Sequence, residues 1–288
     1  MPEDFHLWHL LFNYVPFKVQ SLEDRIFHLA VSHESDNCIH FNRPSQTLLP
    51  SNQPRTLSLP SEDGTTCFAL FPGDSVPPVA SLRLTNGATQ GHLSIYNTGP
   101  SYIRFAVDTA LMLQFAFVTS MQQTLLLHAS SVVHNQKSYA FLGKSGTGKS
   151  THSTLWLDHI PNTVLLNDDN PVLRIIDGCP MLFGSPWSGK TPCYKQTSAR
   201  LAGMVRLIQS STNRITRLPL LESYLALGSS TSAFHLRTNN HPFLKSVTDN
   251  IHNTLHSVIQ STPIYSLHCL PNADAALLCH EIIARNIV

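Results

Sequence analysis

Eight consecutive residues, Gly143-Lys144-Ser145-Gly146-Thr147-Gly148-Lys149-Ser150, fit the spacing of a phosphate-binding loop: a glycine, four residues, then Gly-Lys-Ser. The glycines let the backbone wrap with its N–H groups turned inward. A helix starting at the end of the loop adds partial positive charge at its first turn. Gly143, Ser145, Gly146, Thr147, Gly148, Lys149, Ser150 and Thr151 are therefore the expected nucleotide-phosphate contacts. Lys149 reaches the outer phosphates and the Ser150 hydroxyl is available to Mg²⁺, so ATP and Mg²⁺ are the implied cofactors.

A second group stands downstream at Asn167-Asp168-Asp169-Asn170. This run is good turn chemistry, yet two adjacent carboxylates point in different directions. One can face a metal while the other accepts a proton from a hydroxyl, which phosphoryl transfer requires. We assign Asp168 as the catalytic base and Asp169 as the metal contact, and keep the reverse assignment open. Gly184 to Lys190 is a glycine-flanked loop in which Trp187 reads as packing and Lys190 as solvated, though such a loop can also be functional. Arg206 and Arg214 are open between a phosphoryl contact and an ion pair.

These groups need elements to hold them. Ser138 to Leu142 is an apolar run of strand length entering the loop, and Thr151 to His159 has helical spacing leaving it. Tyr102 to Gln122 has helical spacing too, Thr124 to Val133 reads as one long strand, and His134 to Lys137 as a hairpin turn. Thr163 to Leu166 is a strand delivering the aspartates, and Pro171 to Phe183 a hairpin turning at Asp177-Gly178. Further expected elements are a strand at Leu201 to Gln209 and a helix from Leu218 to Leu227. A longer helix over Phe243 to Gln260, a strand at Ile264 to Cys269 and a last helix over Asn272 to Asn286 follow. A hairpin ahead of a phosphate loop departs from the plain strand-helix-strand order of most nucleotide-binding α/β proteins.

Residues 1 to 100 show short apolar runs (Ile26 to Val31, Cys67 to Phe71, Leu82 to Leu84, His92 to Tyr96) between Pro, Gly, Asn and Ser. That is a β-rich region without acid/base or phosphate chemistry, expected to serve acceptor or oligomer contacts. Pro44 to Pro60 is expected to be an exposed loop. Residues 101 to 288 form the expected phosphate-loop domain, giving a mixed α/β (α+β) chain of two parts.

With 288 residues, 42% hydrophobic and 13% charged, the chain can bury a sizeable core. Its formal net charge of +1, with no basic block, argues against a nucleic-acid surface. The six cysteines form no C-x-x-C pair, which disfavours a disulfide framework and a zinc site and suits a reducing cytoplasm. None of the 16 histidines has H-E-x-x-H or clustered ligand spacing. Met1 to Asp4 begins acidic, unlike a secretory signal, and Phe105 to Phe117 is broken by Asp108 and Gln114, so a core helix is expected there rather than a membrane span.

Three signals now stand in order: Leu127-His128-Ala129-Ser130, the phosphate loop, and Asn167-Asp168-Asp169. With the preceding hairpin, that order resembles the catalytic domain of HPr kinase/phosphorylase and, more distantly, the nucleotide fold of phosphoenolpyruvate carboxykinase, over about residues 120 to 285. The resemblance implies that His128 lies on a strand beside the site. It implies that Lys149 and Ser150 hold phosphate and metal, and that the aspartates supply base and metal contact. His128, Asp168 and Lys149 are thus the catalytic set. The Glu-Ile-Arg-Gly and Pro-Gly-Arg-Asn segments of that family are missing here, so the resemblance speaks to reaction type and not to HPr as acceptor. The expected activity is ATP·Mg²⁺-dependent phosphorylation of a hydroxyl, a serine on a protein or peptide being the leading acceptor class. A small-molecule or carboxykinase-like kinase, and a nucleotide-binding regulatory module without turnover, are the alternatives. Membrane and nucleic acid are not expected partners, and a homo-oligomer is left open.

Overall fold

The computed structural model describes residues 9–21, 23–34, 54–59, 65–73, 77–189, 191–232 and 242–285. Met1 to Asp4, Cys38, most of Pro44 to Pro60, and Lys190 lie outside the described residues. The fold is mixed α/β, and the chain divides into two compact units. Among the described residues the first takes in 9–12, 19–118 and 242–243, and the second 13–18, 119–232 and 244–285. The division therefore falls at Val118, near the end of a helix, where the sequence suggested residue 100.

The first unit holds a five-stranded sheet built from β1 (His28–His33), β2 (Arg55–Leu59), β3 (Thr66–Phe71), β4 (Ala80–Thr85) and β5 (Gln90–Ile95), in the order β1-β5-β4-β3-β2. Leu82 and Leu84 are buried while Arg83 between them is exposed, and on β5 His92 is exposed between buried Gly91 and Leu93, which is the alternation of a sheet covered on one face. Helix α1 (Pro100–Ser120) packs within this unit: Phe117 lies 5.6 Å from Phe68, ring centre to ring centre, and the buried Gln114 donates from Nε2 to His28 O and Ala88 O.

Two expectations change here. At 21 residues α1 is long and apolar enough to cross a membrane by length and composition, so the sequence argument from a short apolar stretch does not hold. Burial of 56% of its apolar window is what makes it a core helix. Within the expected Pro44 to Pro60 loop, Arg55–Leu59 is strand β2, paired antiparallel to β3; its alternating Thr and Ser between leucines gives it a polar composition at a sheet edge.

The second unit carries a nine-stranded sheet. Its strands are β6 (Thr124–Leu126), β7 (Ala129–His134), β8 (Lys137–Leu142), β9 (Thr163–Asp169), β10 (Val172–Ile176), β11 (Cys179–Phe183), β12 (Ser198–Gln209), β13 (Arg214–Arg217) and β14 (Ile264–Cys269). The main path runs β6-β10-β11-β12-β8-β7-β9, and β14 and then β13 branch from β12. Helices α2 (Lys149–His159), α3 (Leu220–Gly228), α4 (Pro242–Ser261) and α5 (Ala273–Arg285) complete it. The positive φ values of Asn135 and Gln136 (47° and 65°) and of Asp177 and Gly178 (49° and 75°) make the β7-β8 and β10-β11 connections two-residue turns matched to strand twist.

Strand direction fixes where the chemistry must gather. β8 runs parallel to β12 and β12 to β14, while β7 is antiparallel to both β8 and β9. So β8, β9, β12 and β14 all end at the edge of the sheet where β7 begins. The register makes this concrete, since Ala129 pairs with Leu142 on one side and with Asp169 on the other.

Behind that edge Trp156, fully buried on α2, packs in a core with Tyr139, Phe141, Val205, Leu267 and Ile283. His152, one turn earlier and 3% exposed, accepts a hydrogen bond from Trp156 Nε1 (3.2 Å), and burial lowers its pKa from 6.5 to about 4. A folded-state pKa below the unfolded one means that protonation favours unfolding. The contribution is complete above pH 6.5 and is lost as pH falls toward 4, a change of about 3 kcal/mol. Urea unfolding at pH 7 and pH 4.5 checks this, with His152→Gln expected to flatten the difference.

Candidate functional site

The phosphate loop connects the end of β8 to the start of α2. Gly143, Gly146 and Gly148 have φ of 151°, 82° and 98°, values that side chains beyond glycine rarely adopt. At Gly148 a Cβ would meet nothing within 4 Å, so backbone conformation, not space, requires glycine there. The loop is stitched by Thr147 Oγ1 donating to Lys144 O (2.8 Å) and by Gln209 Nε2 at the end of β12 donating to Gly146 O (3.1 Å). Gly148 caps α2 without any side-chain hydrogen bond, leaving the first-turn N–H groups of Lys149, Ser150 and Thr151 to face an anion.

Lys149 Nζ donates to Gly143 O and to His128 Nε2, each at 2.9 Å. Burial pushes its pKa below the usual lysine value, and the Asp169 and Asp168 carboxylates act in the opposite sense. An ammonium short of solvent gains by meeting phosphate oxygens. Because His128 Nε2 accepts from Lys149, Nδ1 carries the ring proton and donates to Asp169 Oδ1 (3.0 Å). Asp169, His128 and Lys149 form one polar chain that ends on the loop.

His128 does not sit on a strand. The expected long strand from Thr124 to Val133 breaks into β6 and β7, and His128 lies in the gap, its N–H donating to Ser230 O (2.6 Å) beside a bridge between Leu127 and Thr231. Ser230 O accepts from His128 N and Ser232 N donates to Leu126 O (2.8 Å), and these bonds interrupt the ladder; the sequence pattern alone does not reveal this partner. The aspartates stand at the C-terminal end of a strand as expected, with β9 running on through Asp169. Adjacent strand residues leave on opposite sides.

Asp168 is buried, 4% exposed, and held at both oxygens: Ser130 Oγ donates to Oδ1 (2.8 Å) and Thr191 N to Oδ2 (3.3 Å). Ser130 spends its proton on Asp168, so Ser153 on α2 donates to Ser130 Oγ (2.5 Å). This wiring ties the carboxylate to the helix that leaves the phosphate loop. The Asp169 side chain is 34% exposed, and its Oδ2 accepts from Asn170 Nδ2 (2.8 Å).

Asn167 braces the turn below the pair. Its Oδ1 accepts from the N–H groups of Asp169 (2.9 Å) and Asn170 (2.8 Å), and its Nδ2 donates to Ser185 Oγ (3.1 Å) and Trp187 O (3.3 Å). The Gly184-to-Gly189 loop is thereby fastened to the aspartate turn. At Gly189 a Cβ would stand 2.7 Å from Asp168 O, so close backbone approach requires glycine there.

Beyond the loop, at the ends of β12 and β14, a cavity of about 380 Å³ opens between Gly146 to Gly148 and a wall of Leu155, Leu207, Leu270 and Pro271. Crevices at the carboxyl ends of parallel strands are the usual ligand position in open α/β sheets. Arg206 stands in register with Leu142, the last residue before the loop, on an exposed face. Arg214 is on β13, separated from β8 by β12 and β14, roughly 14 Å at ordinary strand spacing.

The donor set fits Mg²⁺ only in part-share with phosphate. Ser150 in the first turn of α2 and the partly exposed Asp169 are hard oxygen ligands. Among the described residues no group of three or more His, Cys, Asp or Glu is placed to hold a metal alone. Ser153, Gln209 and Ser185 carry no sequence signal, and Ser130 and Asn167 stand in the two short motifs without a role of their own assigned there. Of those two, Asn167 carried a local signal, the Asn-Asp turn pattern. No protein-family model matches the chain, and no curated protein matches it.

Proposed function

We propose that the chain is an ATP·Mg²⁺-dependent phosphotransferase of the kind its motif order resembles, an HPr kinase-like P-loop enzyme that phosphorylates a hydroxyl. A serine on a protein or peptide is the acceptor class. The observation that carries this reading is the meeting, at one sheet edge, of the glycine loop, Lys149, His128 and both aspartates.

The loop N–H groups and Lys149 bind and orient the outer phosphates, while the nucleoside end enters the cavity beside Leu155 and Leu207. Mg²⁺, held by Ser150, Asp169 and phosphate oxygens, supplies charge neutralisation when bound. Asp168 accepts the proton of the acceptor hydroxyl; a carboxylate has about four lone-pair positions, so the bonds from Ser130 and Thr191 leave room for a third. His128 orients Lys149 and Asp169 toward the same point. Catalysis on this account rests on positioning and electrostatics, with no covalent intermediate. Among the described residues Cys67, Cys179, Cys193, Cys269 and Cys279 are free thiols, which supports a reducing cytoplasmic setting.

The test is Mg²⁺-dependent ADP release together with transfer of label from γ-labelled ATP to serine-containing peptides and cell-extract proteins. Release that chelation abolishes is the expected result. Tight ATP binding with no ADP formed under any of these conditions would replace the enzyme by a nucleotide-binding module.

A further inference from the structure

Residues 13–18 belong to the second unit although the residues before and after them belong to the first. They form a 3-10 turn within Phe12–Phe17. Asn13, 2% exposed, donates from Nδ2 to Pro186 O (3.0 Å). Tyr14 Oη accepts from Trp187 Nε1 (2.8 Å), and the two rings meet edge-on with centroids 6.3 Å apart. Each contact joins positions 173 apart in the sequence.

What lies on the far side of these contacts is the aspartate turn. Trp187 O accepts from Asn170 N (3.2 Å) and from Asn167 Nδ2 (3.3 Å). Ser185 Oγ accepts from Trp187 N (3.1 Å) and donates to Asn170 O (2.6 Å). Gly189 then brings the loop backbone against Asp168. The loop between Gly184 and Gly189 has no strand or helix of its own to hold it, so its position depends on what grips it from each side. On one side that grip is Asn167 and Asn170, which bond Ser185 and Trp187 of the loop; on the other it is Asn13 and Tyr14.

We propose that Asn13 and Tyr14 are positioning residues, which clamp the Gly184-to-Gly189 loop and through it hold Asp168 and Asp169 in working geometry. The consequence for function rests on the reading of those two aspartates as base and metal contact; the clamp itself does not. A buried indole N–H needs an acceptor, and Tyr14 supplies one that also fixes the Trp187 ring. A loop displaced by about 1 Å can cost far more in rate than in stability, because the reacting groups must be aligned within a fraction of that distance.

The experiment uses the full chain with Tyr14→Phe and Asn13→Ala. Hydrogen exchange is read on peptides covering 166–170 and 184–189, and ADP release from Mg²⁺·ATP is measured with water as acceptor. Loss of one such hydrogen bond is expected to speed exchange in both peptides by about tenfold while α5 and β14 stay unchanged. Turnover is expected to fall about five- to tenfold with a smaller rise in KM for Mg²⁺·ATP, through Asp169, and with nucleotide binding in the presence of a chelator unmoved. In a Trp187→Phe background, Tyr14→Phe should have no further effect on exchange, because the coupling runs through the indole. Unchanged exchange at 166–170 in both variants overturns the proposal, and so does uniform loosening across the second unit, which would make the segment an ordinary stabilising contact. If the parent chain releases no ADP with water, serine-containing peptides or cell-extract proteins as acceptor, the phosphotransferase reading fails while the exchange result still decides the clamp.

Discussion

A Lys149→Ala protein is expected to fold and to lose about 10²- to 10³-fold in ATP turnover, the scale of deleting one fixed donor from a site where charge develops. The side chain contributes little to the fold: its ammonium touches Gly143 O, Lys144 O and His128 Nε2, all at the mouth of the loop, and none of these is in the core. What the variant removes is a cation whose pKa burial already depresses, placed between the loop carbonyls and the Asp169-His128 pair. The backbone N–H groups of the loop and of the first turn of α2 remain, so residual nucleotide binding is expected to survive as a weakened, Mg²⁺-dependent signal. Circular dichroism and thermal unfolding establish that the variant is folded, and ADP release then gives the result. A folded variant that turns ATP over at the parental rate would remove the phosphate loop from the mechanism.

Much of this site was legible because its parts are local. The three loop glycines act through backbone conformation and the first residues of α2 through a helix terminus, and such effects are written in a few adjacent residues: Gly146 and Gly148 announce positive φ, and the apolar run before Gly143 announces β8. The β7-β8 hairpin and the β10-β11 hairpin were legible for the same reason, through Asn135-Gln136 and Asp177-Gly178. Errors arose where a distant partner decides. His128 left its strand because Ser230 and Ser232, about a hundred residues later, take up hydrogen bonds of that segment. Arg55–Leu59 became an edge strand because β3 was there to pair with it. Asn13 and Tyr14 carry no signal at all in their own neighbourhood; only the position of Trp187 gives them meaning. Side-chain wiring such as Ser153 to Ser130 to Asp168 is likewise invisible until β7, β9 and α2 are set side by side.

Asp168→Asn and Asp169→Asn should separate chemistry from metal binding. At Asp168 the amide keeps the shape of the carboxylate, and its oxygen can still accept from Ser130; its nitrogen, however, faces Thr191 N–H, donor against donor, at a cost of about 1 kcal/mol. That is small enough for the chain to remain folded. The amide cannot take a proton from a hydroxyl, so the transfer rate is expected to drop by about 10²- to 10⁴-fold while Mg²⁺·ATP binds nearly as before. At Asp169 the change has a different reach. The side chain is partly exposed, stands beside His128 Nδ1, and contributes one of the few hard oxygens available to the ion. Asp169→Asn should therefore weaken nucleotide binding chiefly when Mg²⁺ is present, and should leave binding in the presence of a chelator close to that of the parent. It also turns the His128 contact from carboxylate to amide oxygen, so some loss of Lys149 alignment accompanies it. Nucleotide titrations with and without Mg²⁺, set beside single-turnover transfer rates for both variants, give six numbers that fix the two roles. Should Asp168→Asn lose Mg²⁺-dependent binding while Asp169→Asn binds normally and loses only the chemical step, the base is Asp169, and the buried carboxylate wired to Ser130 and Ser153 is the one that faces the metal.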